Sequence, residues 1–460
     1  MKAVISGEKM YIQFFKKILY PIYETRIQKR KTLSYLDELA QTQWLSREKI
    51  EKLQWERMQS LLAHSVQNTP FYANLYAKLG IDLANIKSMD DFSLLPVISR
   101  LDVVNNCEQM HASNYKDKHL FKSTGGSTGV PVRLALDRKS YEWRIAVAQR
   151  GYSWANCEIG THTLYIWGVD VGKQPLLKSI KNSLYHSLLN RKMFNCFNLD
   201  DNEMLRCVEY INKKRPTGIV SYTTGIYNLA QFINTNKIYL DTTAVKSIIT
   251  GAEKLFDYQR DLIEAVFKAP VFNTYGCREF MLLASECEKH EGLHVNSDSV
   301  VVEILVDGKP AGPGETGELV ITDLHNYGMP FIRYKNGDLA TQSSKICSCG
   351  RGLPLIENID GRKTDIILAY NGTKIPGIYF PHLMKEIAGI KKFQVIQKSR
   401  TEIEVKLVQQ PVISDERIQF LRHEIQNVVG GEVNIKFNFV DDIPLNASGK
   451  FRVTISELKE

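Results

Sequence analysis

The chain has 460 residues, with 59 Lys and Arg against 51 Asp and Glu, and a formal net charge of +8. Its 43% hydrophobic and 24% charged content is that of an ordinary globular protein, which excludes a disordered, collagenous or low-complexity chain. The excess positive charge is modest and unclustered, so no nucleic-acid partner is expected. No apolar run approaches the roughly 20 residues that cross a bilayer, so no transmembrane segment is expected either.

The length exceeds one ordinary hydrophobic core and predicts two or three domains. The eight cysteines accompany no signal-peptide pattern. They read as thiols or metal ligands in a cytoplasmic protein rather than as a disulfide framework.

The aromatic and basic residues 10–20, broken by Pro21, predict a helix packed on its own protein rather than one lying on a membrane surface. Residues 34–79 read as helices, because Leu53, Trp55, Met58, Leu61, Leu62 and Val66 recur at near-helical spacing. Residues 120–137 read as strand, glycine loop and strand. The loop, Ser123-Thr124-Gly125-Gly126-Ser127-Thr128-Gly129-Val130-Pro131, mixes glycines with hydroxyl side chains. Glycine lets backbone N–H groups approach an anion closely, and Ser and Thr add donors, which suits a phosphate cradle. The loop lacks the Gly-Lys-Ser/Thr ending of a Walker motif.

From 141 to 280, apolar runs at 163–169, 218–222, 247–250 and 271–274 alternate with helical stretches, the pattern of an α/β domain. Gly251-Ala252-Glu253 follows one run, at the strand edge where open α/β sheets bind ligands. Tyr275-Gly276-Cys277-Arg278-Glu279 follows the next. It offers an aromatic ring for a base and a carboxylate for a magnesium ion near phosphates.

Strands are expected at 300–306, 317–322 and 331–334, with turns at Gly308, Gly312, Pro313 and Gly314. Asp338 closes the next motif and is suited to accept hydrogen bonds from ribose hydroxyls. A composition shift at Gly361-Arg362 opens an α+β unit of about 100 residues. Its elements are a strand at 366–369, a helix near 381–388, strands at 393–396 and 402–407, a helix at 414–429 and a strand at 433–439. Its tail, Pro444-Leu445-Asn446-Ala447-Ser448-Gly449-Lys450, places one lysine on a loop able to meet developing negative charge.

A second constellation is Cys287-x-x-His290 with Cys347-x-Cys349. Three thiolates and an imidazole suit tetrahedral Zn²⁺ in a closed structural site. His294 is the rival fourth ligand. The two-residue gap to His290 closes the more compact chelate, so His290 is preferred.

Each motif alone is common as a turn or a surface group, but their order along one chain is not. The ordered set resembles the adenylate-forming superfamily, most of all the phenylacetate-CoA ligase group and its CapK-like members encoded with capsular polysaccharide genes. The likeness runs from about Ser46 to the end and is most specific at residues 125–131, 330–338, 361–362 and 444–450.

The resemblance implies an α/β fold with a large N-terminal domain of mixed sheets and helices and a small mobile C-terminal α+β domain. The divisions are a helical region 1–80, an ATP- and acyl-binding core 81–360 and a mobile domain 361–460. It further implies that Ser123, Thr124, Gly125, Gly126, Ser127, Thr128 and Gly129 hold the ATP phosphates. Gly251, Ala252 and Glu253 line the adenine side, Tyr275 and Gly276 pack on the adenine, and Glu279 helps bind Mg²⁺. Asp338 takes the ribose with Arg362 nearby, and Lys450 orients the substrate carboxylate and α-phosphate.

Two positions depart from the family pattern. Thr364 stands at the hinge, where relatives carry Asp or Lys. The loop lacks the lysine that relatives carry near its end, where this sequence reads Val130-Pro131-Val132-Arg133, with Arg133 as a candidate substitute. Tyr165, Trp167 and Tyr222 are candidates for an acyl pocket, and Cys277 reads as a space-filling residue rather than a nucleophile.

The activity so implied is ATP-dependent activation of a small carboxylic acid through an acyl-adenylate, with CoA as the thiol acceptor. ATP/AMP, Mg²⁺, CoA and structural Zn²⁺ are the expected cofactors, and an oligomer is possible. Two alternatives stay open: transfer of the acyl group to an amine, sugar or carrier protein, or a noncatalytic zinc-binding scaffold on a ligase fold.

Overall fold

The structure, a computed structural model, describes residues 11–115, 120–123, 133–168, 183–196, 199–362, 366–375, 379–384, 387, 389–444 and 452–458. Five segments, Arg191–Asn195, Thr163–Trp167, Gly218–Tyr222, Ser247–Gly251 and Val271–Tyr275, lie side by side in that order as parallel strands, the last four of them apolar runs. The helices Asp201–Lys214, Thr223–Thr235 and Asp257–Phe267 connect them. All five residues of Ser247–Gly251 are buried, as expected of a central strand in a parallel sheet covered on both faces. Leu164, Ile166, Ile219 and Ile248 pack there against Leu229, Ile263 and Phe267 of the helices.

After Tyr275 the same twelve-stranded sheet turns antiparallel. It continues through Ala284–Glu286, Leu293–Val295, Leu355–Arg362, Tyr334–Gln342, Thr316–Asp323, Val300–Val306 and Lys309–Pro310. The change of direction falls at the last parallel strand, and the C-terminal ends of parallel strands are the place where open α/β sheets take ligands. Helix Arg47–Asn68 sends Met58, Leu61 and Leu62 into the core of the antiparallel half, with Ile304, Leu319, Ile321 and Phe331.

A four-stranded sheet, ordered Asn434–Phe439, Glu402–Gln409, Ile390–Ser399, Thr454–Ser456, follows in sequence. Phe380, Val395, Leu407, Leu421 and Ile425 form a core that includes residues from 367 to 435 only. Among the described residues no helix is long and apolar enough to cross a membrane.

Two local expectations change. Pro21 does not end the first helix but sits in helical geometry between the π-helical turns Phe15–Leu19 and Ile22–Ile27. The wider turn relieves the clash between a proline ring and a preceding carbonyl. Phe15 and Tyr20 are buried with Leu189, and a Cβ on Gly160 would stand 2.6 Å from the Phe15 ring, so the segment is packed on its own protein. The strand expected at 331–334 begins only at Tyr334 and runs to Gln342. Arg333 interrupts it at φ 49, its guanidinium bound to the Glu303 carboxylate and to the carbonyls of Ser93 and Leu95.

Helix Arg138–Trp154 buries two guanidinium groups. Arg150, 2% exposed, grips both Asp298 oxygens and donates to Asn296 Oδ1 at 2.6 Å. Removing one partner of a buried pair strands the other charge at a cost of about 3–5 kcal/mol. Asp298→Ala is therefore expected to lower unfolding stability by about that amount, read from urea denaturation. An unmoved midpoint contradicts the assignment.

Candidate active site

The Ser247–Gly251 strand ends in a forced geometry. A Cβ on Gly251 would lie 2.7 Å from Thr274 Oγ1, which donates to the Thr250 carbonyl at 2.6 Å, so only glycine fits. Ala252 turns the chain at φ 68. Glu253 Oε2 accepts the backbone N–H of Thr224 at 2.8 Å, placing its negative charge on the N-terminal turn of helix Thr223–Thr235. Lys254 Nζ lies 3.6 Å from Asp360 Oδ1 and ties this loop to the Leu355–Arg362 strand. Burial lowers the Lys254 pKa, while Asp360 opposes the shift.

Tyr275 ends the last parallel strand, and its hydroxyl donates to Asp338 Oδ2 at 2.7 Å. Asn336 Nδ2 donates to the Tyr275 hydroxyl at 2.8 Å and to Asp338 Oδ2 at 3.0 Å. Arg362, the cross-strand partner of Asp338, brings Nε within 3.4 Å of Oδ1. Burial, and then the Asp338 charge, push the Tyr275 phenol well above its ordinary range, so it remains a protonated donor. A Cβ on Gly276 would stand 1.8 Å from the Met281 carbonyl oxygen, which excludes any side chain there.

Glu279 is 7% exposed and lies 3.9 Å from Arg100 NH1. Its carbonyl receives Arg144 NH1, and Arg144 NH2 pairs with Asp323 at 2.6 Å. Burial and then the Glu279 charge drive the Cys277 thiol well up. At neutral pH it is a protonated thiol, which fits a space-filling role and not a nucleophile. Trp167 and Tyr222 meet edge to face at 4.6 Å, and the Arg191 guanidinium lies 5.1 Å over the Tyr165 ring.

The structure thus joins Tyr275, Gly276, Asp338 and Arg362 directly. It puts Glu279 on the same loop as Tyr275, and Gly251, Ala252 and Glu253 at the neighbouring strand end. Ser123 ends the Leu120–Ser123 strand opposite Arg133. Thr124, Gly125, Gly126, Ser127, Thr128, Gly129, Thr364 and Lys450 lie outside the described residues. Sequence reading missed Asn336, Lys254 and Arg144. Asn336 had a signal, two residues before Asp338 in the same motif. The other two had none.

A separate cluster unites Cys287, His294, Cys347 and Cys349, whose ligand atoms all lie within 4.8 Å of one another. Cys287 and Cys347 sulfurs are 3.6 Å apart, and Cys349 Sγ is 3.3 Å from His294 Nε2. These separations suit the edges of a tetrahedron built on Zn–S bonds of about 2.3 Å. His294 Nδ1 is 3.0 Å from the Leu353 carbonyl, which turns Nε2 to the thiols. Burial lowers the His294 pKa, favouring the neutral imidazole a metal takes. The backbone N–H groups of Lys289 and Arg351 point at Cys287 Sγ and Cys349 Sγ at 3.5 and 3.4 Å.

His290, the ligand preferred from spacing, is not part of that cluster. Its Nδ1 lies 3.2 Å from Glu286 Oε2, and its ring packs on Phe272 at 4.6 Å. Glu286 is itself fixed by Arg260 and by the Asn273 N–H, both at 2.7 Å. His290 is held by this carboxylate, away from the thiols.

The fold is that of the acyl-CoA ligases. A crystal structure of 2-hydroxyisobutyryl-CoA ligase in the postadenylation state, in complex with R3-HIB-AMP, superposes with a TM-score of 0.72. It does so at 18% identity, covering 91% of this chain and 92% of that one. In sequence the chain resembles CapK and the phenylacetate-CoA ligases. The CapK C-terminal domain model matches residues 367–457. Protein CapK of Staphylococcus aureus is 25% identical over 417 residues, 89% of each chain. Phenylacetate-coenzyme A ligase of Thermus thermophilus is 23% identical over 438 residues, 89% of this chain and 96% of that one.

The raised Cys277 thiol has a direct consequence. At pH 8 iodoacetamide is expected to modify Cys277 at least about tenfold more slowly than free cysteine, because only the thiolate reacts. Peptide mass spectrometry reads the rate, and parity with free cysteine contradicts the assignment.

Proposed function

We infer that the protein joins a small carboxylic acid to CoA by way of an acyl-adenylate formed from ATP. The reading is carried by the Tyr275–Asn336–Asp338–Arg362 constellation, set at the end of the last parallel strand of a ligase fold. The likeness to phenylacetate-CoA ligases along nearly the whole chain supports it. Asp338 presents a buried carboxylate whose oxygens are oriented by Tyr275, Asn336 and Arg362, and of the roughly four acceptor sites of a carboxylate these three leave about one for a ribose hydroxyl. Adenine would lie between Tyr275 and the backbone of 251–253.

In the first half-reaction a carboxylate oxygen attacks the α-phosphorus of ATP. The bond to the bridging oxygen breaks, and pyrophosphate leaves with the electron pair. In the second, the CoA sulfur attacks the acyl carbon, AMP departs, and the thiol proton passes to solvent. Both reactants of the first step are anions, so the protein must position them and offset their charge.

Glu279 is the carboxylate suited to hold Mg²⁺, which when bound would screen the phosphates. It is buried on the Tyr275 loop and stands beyond hydrogen-bond distance from Arg100. Lys450, carried by a mobile 361–460 unit turning near Thr364, would meet the carboxylate and α-phosphate. Structural zinc on Cys287, His294, Cys347 and Cys349 would pin the 343–353 segment to the strands beside Tyr275. The CapK likeness favours one second reading, in which the adenylate is handed to an amine, sugar or carrier protein in polysaccharide assembly. AMP release that is independent of CoA would select it. A cytoplasmic location suits ATP and CoA as reactants.

Purified protein is expected to exchange pyrophosphate into ATP when the right acid is supplied. Lys450→Ala should reduce exchange to background. Asp338→Ala should raise the KM for ATP at least about tenfold, the equivalent of one charge-assisted hydrogen bond. Unchanged exchange in Lys450→Ala removes the mechanism. For the metal, elemental analysis should find one zinc per chain in wild type and in His290→Ala, and none in His294→Ala. Zinc-free reduced wild type, or zinc retained by His294→Ala, refutes the site.

A further inference from the structure

The glycine-rich stretch from Ser123 to Val132 contains no basic residue, although it is the segment expected to face a triphosphate. Two cations flank it, Lys122 and Arg133, on paired antiparallel strands. Residues directly opposite one another share a face of the pair, and successive residues alternate. Lys122 lies opposite Leu134 and is half-buried, unlike Leu120 and Phe121 on the same strand, which are exposed. Arg133 lies one residue out of phase and is exposed.

The position of Lys122 is specific. Lys122 Nζ stands 5.0 Å over the Tyr141 ring. Arg144 follows Tyr141 by three residues on the same face of helix Arg138–Trp154. Arg144 reaches the Glu279 carbonyl and so holds the Tyr275–Glu279 loop. Lys122 therefore faces the helix surface that carries that loop.

We propose that Lys122 supplies the cation the glycine-rich segment lacks, holding an anionic oxygen of the acid's carboxylate or of the ATP phosphates beside the Tyr275–Glu279 loop. The assignment rests on the adenylation reading. Lys122 pairs with Leu134 and lies over Tyr141, and the charges of Arg144 and Arg278 act on it. Among the described residues none of the recorded partners of Lys122 is a carboxylate. Burial, followed by the like charges of Arg144 and then Arg278, brings its pKa down to about 8. A desolvated ammonium among guanidinium groups is unfavourable without an anion, and a bound anion relieves it. Arg133, on the opposite face, lacks this setting.

The test uses the full chain as wild type, Lys122→Gln, Lys122→Met, Lys122→Arg and Arg133→Gln. The readouts are ATP–pyrophosphate exchange and calorimetric binding of ATP. Lys122→Gln should lower kcat/KM for exchange about 100-fold, the scale of losing one preorganised group at developing charge. Lys122→Met keeps the stem on Tyr141 and should fall equally. Lys122→Arg should recover to within about tenfold of wild type, since a second cation restores the charge. A rise confined to the KM of the acid assigns the carboxylate, and one confined to the KM of ATP assigns a phosphate; either supports the proposal.

The proposal is overturned if Lys122→Gln and Lys122→Met stay within about twofold of wild type, or if Lys122→Arg is as impaired as they are, or if Arg133→Gln alone abolishes exchange. Absence of exchange in wild type with every acid tried would instead remove the adenylation reading. ATP affinities then decide Lys122 separately, and equal affinities in wild type and Lys122→Gln overturn it.

Discussion

Asp338 is the joint on which the site depends. Its carboxylate receives the Tyr275 hydroxyl from the last parallel strand, the Asn336 amide from its own strand and the Arg362 guanidinium from the strand that leads toward the C-terminal sheet. One buried anion thus couples three segments far apart in sequence. An unpaired carboxylate in that position would carry a full desolvation penalty, whereas three donors make the same burial tolerable. The donors also fix which carboxylate edges remain for a ligand.

A second layer of charge lies beneath. Arg144 and Arg150 project from one helix six residues apart, and each meets a buried aspartate, Asp323 and Asp298. Such pairs contribute little net stability compared with apolar packing, but they cannot slide as apolar contacts can. Arg144 spends one arm on Asp323 and the other on the backbone of Glu279. The loop that bears Tyr275 and Glu279 is consequently set by a helix that belongs to no sequence motif. Gly276 adds a steric lock to this electrostatic one, since the Met281 carbonyl fills the space a side chain would need.

Much of this was legible in the chain, and the reasons are specific. Four of the five parallel strands announced themselves as short apolar runs because both of their faces are covered, whereas polar Arg191–Asn195 gave no such signal, and the candidate motifs followed two of those runs at the strand ends where open α/β sheets take ligands. Asp338 and Tyr275 were readable as candidate ligand groups from residue type and position. Their mutual hydrogen bond was not, since 63 residues separate them and no periodicity reports register between distant strands. The strand start at Tyr334 was misplaced because apolar Phe331 and Ile332 resemble strand residues while Arg333 adopts a left-handed turn that only its buried partners sustain. Lys122 was passed over for a related reason: its setting depends on Tyr141, which the fold brings over the ribbon from a later helix.

The histidine of the thiol cluster shows the same limit in its clearest form. Spacing favoured His290, three residues from Cys287, because a short chelate loop costs little entropy to close. That argument treats the chain as isolated. In the folded protein Glu286, held by Arg260 and a backbone N–H, occupies the space beside His290 and offers it a charged acceptor. His294 sits on a strand whose neighbour, Leu355–Arg362, follows the Cys347 segment in sequence, and the pairing of His294 with Leu355 draws it toward Cys349. Sheet register outweighs local chelate length here: the Leu353 carbonyl that orients the ring comes from the chain entering that same strand, so the geometry that builds the sheet also aims the imidazole.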